Sequence, residues 1–119
     1  MDFKADKPIF RQIVDLCHSR ILAGNWPPGA RIPSVRELAV EFAVNSRTVL
    51  SAFEEMQREG IIAPRRGMGY YLADDAPAIV MAIKRSDFFD TTLRQLSRSM
   101  RELGITPAEV ADFLASLDK

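Results

Sequence analysis

Two helix starts lie about ten residues apart in this chain, and they constrain its fold more than any other feature. Ser34-Val35-Arg36-Glu37 has the S-x-x-E form of a capping box. In such a box the serine oxygen accepts an orphan first-turn N–H, and the glutamate reaches back to the serine N–H. Leu38, Ala39 and Phe42 give the helix it opens a buried face. Val44-Asn45-Ser46 offers a fresh N-cap so soon afterwards that this helix must be short. Asn45 is expected to cap a further helix with Val49, Ala52, Phe53 and Met56 inward and Gly60 at the C′ position. Two helices joined by three or four residues, the second opening on small polar and basic side chains, form the helix-turn-helix pattern. The usual turn glycine is missing, and Ala43-Val44 occupies its place.

The flanking segments complete a larger unit. Pro8 suits the first turn of a helix whose Ile9, Ile13, Cys17 and Ile21 recur every four residues, with Phe10, Val14 and Leu16 widening the stripe. Gly24 ends it, and Trp26-Pro27-Pro28-Gly29 is a turn. After Gly60, Ile61-Ile62-Ala63 and Tyr70-Tyr71-Leu72 are short apolar or aromatic runs around Pro64-Arg65-Arg66-Gly67-Met68-Gly69. They predict a two-stranded hairpin with a basic, glycine-bearing tip, which in this position is a wing.

Asp74-Asp75-Ala76-Pro77 is expected to be a linker. Beyond it Ile79, Ala82, Phe89, Leu93, Leu96, Met100 and Leu103 fall on one stripe, the later spacings close to 3.5 residues, a period that favours helix-on-helix packing. Gly104 ends that helix. Thr106-Pro107-Ala108-Glu109 opens a last one, with Val110, Phe113, Leu114 and Leu117 expected inward. The expected fold is α+β: a winged helix-turn-helix of three helices and a hairpin over residues 1–76, then a two-helix dimerisation element over 77–119. The stripe residues Ile79, Phe89, Leu93, Leu96, Met100 and Leu103 are the candidate dimer contacts, because that stripe is too apolar for a lone exposed helix.

Charge says little here. Sixteen Lys and Arg balance sixteen Asp and Glu, although from Lys7 to Leu72 nine basic residues face six acidic ones. That mild excess is compatible with phosphate contacts. No apolar run approaches the roughly 18 residues of a membrane span, and Met1-Asp2-Phe3-Lys4-Ala5-Asp6 lacks the apolar core of a signal peptide. Cys17 is the sole cysteine, so no intrachain disulfide forms, and a reducing cytoplasm fits. No nucleophile–base pair, phosphate loop or zinc spacing is present, so the expectation is no enzyme, no cofactor and no metal. His18 adjoins Cys17, but neighbouring side chains diverge on a helix. Phe88-Phe89 and the five methionines read as packing.

The candidate DNA contacts follow from this arrangement. A helix fits the major groove, where residues of its first turn face base edges and phosphates. Arg47 suits guanine, and Asn45, Ser46 and Thr48 suit bases or phosphates, with the helix N-terminus adding its own attraction for an anion. Arg65, Arg66 and Gly67 at the wing tip suit a narrow minor groove. Arg36 is a phosphate or base contact, or else a salt-bridge partner of Glu37 or Glu41. Each piece alone has a bland structural explanation; the order of all four pieces is what a winged helix needs.

Residues 8–72 resemble the DNA-binding domain of the GntR family of bacterial regulators. The matching residues are Pro8-Ile9-Phe10-x-Gln12-Ile13, Ile21-x-x-Gly24 and Pro28-Gly29-x-Arg31-Ile32-Pro33-Ser34-x-Arg36-x-Leu38-Ala39. They continue through Val44-Asn45-x-x-Thr48-Val49-x-x-Ala52-Phe53, Gly60-Ile61-Ile62 and Arg66-Gly67-x-Gly69-Tyr70-Tyr71. The resemblance implies DNA contacts at Arg36, Asn45–Thr48 and the wing around Arg66 and Gly67. Many members carry an arginine where Ser46 stands here and often a second where Leu50 stands, so Arg47 is expected to meet a different base, or a phosphate. The 43 residues from Pro77 are too few for the larger effector domains of the family and are similar to the small YtrA-type subgroup. That resemblance implies a dimerising helical pair, repression of operons that often encode transporters, and no substantial ligand domain. A homodimer on a pseudo-palindromic operator in double-stranded DNA is the expectation, with room left for a small-molecule effector. A winged-helix protein-interaction module without sequence-specific DNA binding, or a helical assembly factor, stays open.

Overall fold

The computed structural model describes residues 3, 5 and 7–118. Most of the segment read above for a signal peptide (Met1, Asp2, Lys4 and Asp6) lies outside the described residues. The elements run α1 (Ile9–Leu22), α2 (Val35–Phe42), α3 (Ser46–Arg58), β1 (Ile62–Arg65), β2 (Gly69–Leu72), α4 (Ala76–Asp87), a single π-turn (Phe88–Thr92), α5 (Leu93–Leu103) and α6 (Pro107–Leu117). This mixture of helices and one antiparallel hairpin is the α+β winged-helix arrangement expected from the sequence.

The helix boundaries obey local chemistry. Glu37 N donates to Ser34 Oγ at 3.0 Å and Ser34 N donates to Glu37 Oε1 at 3.1 Å, which closes the capping box. Asn45 caps α3 through a 2.8 Å bond from Arg47 N to its Oδ1. Thr106 and Glu109 close a second box at α6, with Pro107 in the first turn. Pro8 stands just outside α1, as its N-cap residue. Between α2 and α3 the chain turns at Ala43, whose φ of 55° and ψ of 47° lie in the left-handed region that normally selects glycine.

The chain divides into two compact units, residues 1–82 and 83–119. In the first, α1, α2 and α3 enclose a core of Ile13, Cys17, Leu38, Phe42, Val49, Phe53 and Met56, each no more than 1% exposed. Full burial of one such side chain stabilises the fold by about 1.5–3 kcal/mol. Ile9, expected on the inner stripe of α1, is 44% exposed because it sits at the open end of the helix. Ile62 and Leu72 close the core from the hairpin, whose register pairs Ile62 with Leu72 and Arg65 with Gly69. The segment before α2 adds a third, short edge. Leu72 N donates to Ala30 O and Ile32 N donates to Tyr70 O, both at 2.9 Å, and Arg31 bridges Tyr71. These bonds brace a two-stranded hairpin that would be marginal on its own.

His18, on α1, is buried, and its Nε2 donates to Glu59 Oε1 at 2.9 Å. That bond ties α1 to the residue that ends α3. Among the described residues no group of His, Cys, Asp and Glu is placed to hold a metal, and no helix is long and apolar enough to cross a membrane.

Three expectations need correction. The linker is only the turn at Asp74 and Asp75, because Ala76 and Pro77 already lie in α4 and Ala76 is buried. The second concerns α6. Phe113, Leu114 and Leu117 were expected inward but are 63%, 55% and 62% exposed, since a two-helix unit has no third layer to cover them. The stripe from Ile79 to Leu103 also does not ride on one uninterrupted α-helix: the π-turn at Phe88–Thr92 inserts an extra residue into it.

Candidate nucleic-acid interface

The start of α3 is where the sequence placed its main contacts, and the helix sorts its residues by face. Val49, Ala52, Phe53 and Met56 are buried against α1 and α2. Arg47, Leu50, Ser51 and Glu54, spaced three and four apart, lie on the opposite side. With Val35, Asn45 and Ser46 they line an open groove of about 600 Å³. The beginnings of α2 and α3 therefore share one concave surface. Asn45 Oδ1 is engaged in its cap bond, which leaves its amide NH2 as the donor on offer.

Asn45, Ser46 and Arg47 of the predicted set meet in this groove; Thr48 does not line it and is half-buried. Arg36 is exposed on the first turn of α2 but is not part of the lining. Both carboxylates the sequence offered it are otherwise engaged. Glu37 closes the capping box, and the Ser34 backbone N–H, then the Ser34 hydroxyl, hold its carboxyl below the usual carboxylate range. Glu41 pairs with Arg20, whose hydrogen bond lowers the Glu41 carboxyl in the same way.

The wing is a separate cluster. Arg65 lies within β1, its guanidinium 3.8 Å from the centroid of the Tyr71 ring, and Arg66-Gly67-Met68 form the exposed tip. Met68 N donates to Arg65 O at 2.9 Å to close the turn, with Gly67 at φ 71°. Tyr70, on the other face of β2, meets Phe53 of α3 edge-on, with ring centroids 4.8 Å apart. One aromatic contact thus ties the wing to the helix that carries Arg47.

Leu50, Ser51, Glu54 and Val35 were not among the expected contacts. A signal for three of them was present, because counting three, four and seven from Arg47 along a helix lands on Leu50, Ser51 and Glu54.

The family model for bacterial regulatory proteins of the gntR family matches residues 10–72, more than half of the chain. The chain belongs to the GntR family. It is accordingly a DNA-binding transcription regulator and not an enzyme. Among its relatives, the HTH-type transcriptional repressor YtrA of Bacillus subtilis is 31% identical over 117 residues, covering 98% of this chain and 89% of YtrA. A GntR family transcriptional regulator from Listeria monocytogenes has a similar structure, with a TM-score of 0.79, 31% identity, and coverage of 96% of this chain and 98% of that one. The structure of AraR(DBD) in complex with operator ORR3 matches with a TM-score of 0.55 and 26% identity, over 61% of this chain and 86% of that chain.

The candidate dimer residues lie in different settings. Ile79 is half-buried in the first unit, where Ala76 and Val80 are the fully buried positions of α4. In the second unit Leu93, Leu96 and Met100 line apolar grooves between α5 and α6, the larger about 620 Å³ and shared with Ile105, Val110, Phe113 and Leu114. Phe89 and Leu103 are outside both grooves, at 55% and 70% exposure.

Proposed function

We propose that the protein is a homodimeric repressor that binds a pseudo-palindromic operator. In this reading α3 enters the major groove, with Asn45, Ser46, Arg47 and Thr48 at base edges and phosphates and Arg36 on the backbone beside it. Arg65, Arg66 and Gly67 of the wing follow the adjacent minor groove. The observation that carries the reading is the groove shared by the starts of α2 and α3, lined by Asn45, Ser46 and Arg47. That surface joins an arginine, small polar groups and a capped helix N-terminus, the combination that suits a phosphate and a base edge together.

Dimerisation through residues 77–119, as a unit distinct from the winged helix of residues 1–76, rests on exposed apolar surface. Leu96, Leu103, Phe113, Leu114 and Leu117 are each at least 40% exposed, an arrangement that a second copy would cover. Two winged helices would then meet half-sites about one helical turn, roughly 34 Å, apart. Repression follows from occlusion of polymerase, in keeping with the repressor name of YtrA, and places the protein in the cytoplasm with the chromosome. A small-molecule effector that releases the operator is compatible with the family but has no assigned residue.

Titration of the full chain against duplexes selected from a random pool tests this. Selection of an inverted repeat, a steep fall of affinity with salt and a loss on Arg47→Ala are expected. Binding without sequence preference, or unchanged affinity in Arg47→Ala, would sink the proposal. Light scattering that shows a monomer at micromolar concentration would remove its dimeric half.

A further inference from the structure

The outer stripe of α3 contains a side chain that cannot hydrogen-bond. Leu50 is 41% exposed and lies in the same groove as Arg47, Ser51 and Glu54. We propose that Leu50 is a specificity-determining residue that packs on the C5-methyl group of a thymine. The proposal rests on the reading of α3 as the major-groove helix and adds to it the identity of one base.

The reasoning starts from what the major groove displays. Each base pair presents hydrogen-bond donors and acceptors there, and one apolar group, the thymine methyl. A leucine pressed against guanine N7 and O6 or cytosine N4 would strip those atoms of water and give nothing back. Against the methyl it buries apolar surface on both sides. Leu50 therefore favours thymine by attraction and disfavours a G·C pair by unpaired polar atoms.

The neighbours leave this position to Leu50. Ser51 Oγ donates to Arg47 O at 3.2 Å, so its hydroxyl hydrogen is held by its own helix. Arg47, one turn toward the N-terminus, offers donors only, and Glu54, one turn toward the C-terminus, offers acceptors only when ionised. The stripe thus runs donor, methyl-sized apolar contact, acceptor. One helical turn rises about 5.4 Å and a base pair about 3.4 Å. The thymine is accordingly expected within about two base pairs of the contact made by Arg47.

The test uses the full chain and the duplex it selects. Each thymine of that duplex is replaced singly by deoxyuridine, which removes the methyl and leaves every hydrogen-bonding group in place. With the wild type, one such replacement under each α3 should weaken binding about fourfold, the effect of losing one buried methyl-sized contact. Leu50→Ala should bind the thymine and deoxyuridine duplexes equally, while Leu50→Met should keep the difference. Leu50 lies outside the core, so the melting temperature of Leu50→Ala should match the wild type; the wild-type deoxyuridine series needs no variant at all. Tolerance of deoxyuridine at every position by the wild type, or undiminished sensitivity in Leu50→Ala, overturns the proposal. If Arg47→Ala still abolishes selective binding in either case, the major-groove reading stands without it. If the wild type selects no sequence, both fall.

Discussion

The guanidinium of Arg31 lies against the backbone of Gly69 at the base of the wing. A Cβ built on Gly69 would stand 3.0 Å from Arg31 Nε and 3.6 Å from its Cζ. Arg31 also bridges Tyr71 across the sheet, and Gly69 pairs with Arg65 in the hairpin register. Directly opposed residues share a face of a sheet, so Arg31, Tyr71 and Arg65 occupy one side of the wing. Tyr70, on the other side, contacts Phe53.

Gly69→Ala and Gly67→Ala should therefore differ. Both glycines have positive φ, 87° and 71°, so either substitution carries a backbone cost of about 1–2 kcal/mol. Nothing lies within 4 Å of a Cβ on Gly67, whereas at Gly69 the added methyl also displaces Arg31. A double-mutant cycle measured by urea unfolding should show coupling between Gly69→Ala and Arg31→Ala and none between Gly67→Ala and Arg31→Ala. Equal coupling for the two glycines would mean that the Arg31 contact contributes nothing.

Ala43→Gly is expected to stabilise the protein. Ala43 is the one non-glycine with positive φ among the described residues. Its left-handed conformation costs an L-residue about 1–2 kcal/mol, from which the greater chain entropy of an unfolded glycine subtracts some. The net gain should be about 0.5–1 kcal/mol in denaturant unfolding, with DNA affinity unchanged because Ala43 lies outside the groove of α3. A loss of stability would show that the Ala43 methyl makes a contact worth more than the strain.

Most of the helix boundaries were legible in the sequence because they are local chemistry. Ser34 and Glu37, Asn45, Gly60 and the Thr106–Glu109 box each act within four residues of themselves, and each appears where the motif put it. What was not legible depends on non-local packing. Ala76 and Pro77 read as linker because nothing in their neighbourhood shows that Ala76 and Val80 are buried. Phe113 and Leu117 read as inward because periodicity reports which residues share a face, not whether anything covers that face. The α3 groove fell between the two. Arg47 was legible as a basic residue in a capped first turn, and Leu50 and Glu54 by their spacing from it. Val35, which joins the groove from α2, needed the two helices to be laid out in space.

Acid should weaken the fold partly through Glu41. The hydrogen bond from Arg20 holds its carboxyl below the usual range, and Arg20 also lies over the Phe42 ring at 5.1 Å. A carboxylate with a depressed folded pKa contributes stability above its unfolded value, about 4.3. That contribution is lost as pH falls below that value and through the lower folded pKa. Unfolding midpoints measured from pH 7 to pH 2 should fall less steeply below about pH 4.3 in Glu41→Gln than in the wild type. The difference should shrink in high salt, because the pair is partly exposed. Parallel curves for the two proteins would show that the pair does not contribute.

Cys17 should report opening of the core. Its side chain is fully buried, and burial pushes the thiol up to about 12, so the thiolate that reacts with disulfide reagents is scarce in the folded protein. Modification at pH 8 should be slow for the native chain, fast in urea, and slower still with saturating operator DNA, since a ligand of the folded state suppresses unfolding. The sign at alkaline pH is fixed by the same shift. A thiol whose folded pKa lies above its unfolded value near 8.5 contributes stability that is fully present below that pH and declines as pH rises toward 12. Cys17→Ala removes that dependence but leaves a small cavity, and Cys17→Ser buries a hydroxyl in an apolar site at a cost of about 1–3 kcal/mol. Wild type and Cys17→Ala should therefore converge in stability between pH 8 and pH 10, while Cys17→Ser stays below the wild type at pH 7. Rapid modification of the native protein at pH 8 would mean that α1 opens locally without global unfolding, and operator DNA would then slow the reaction only if α3 opens with α1.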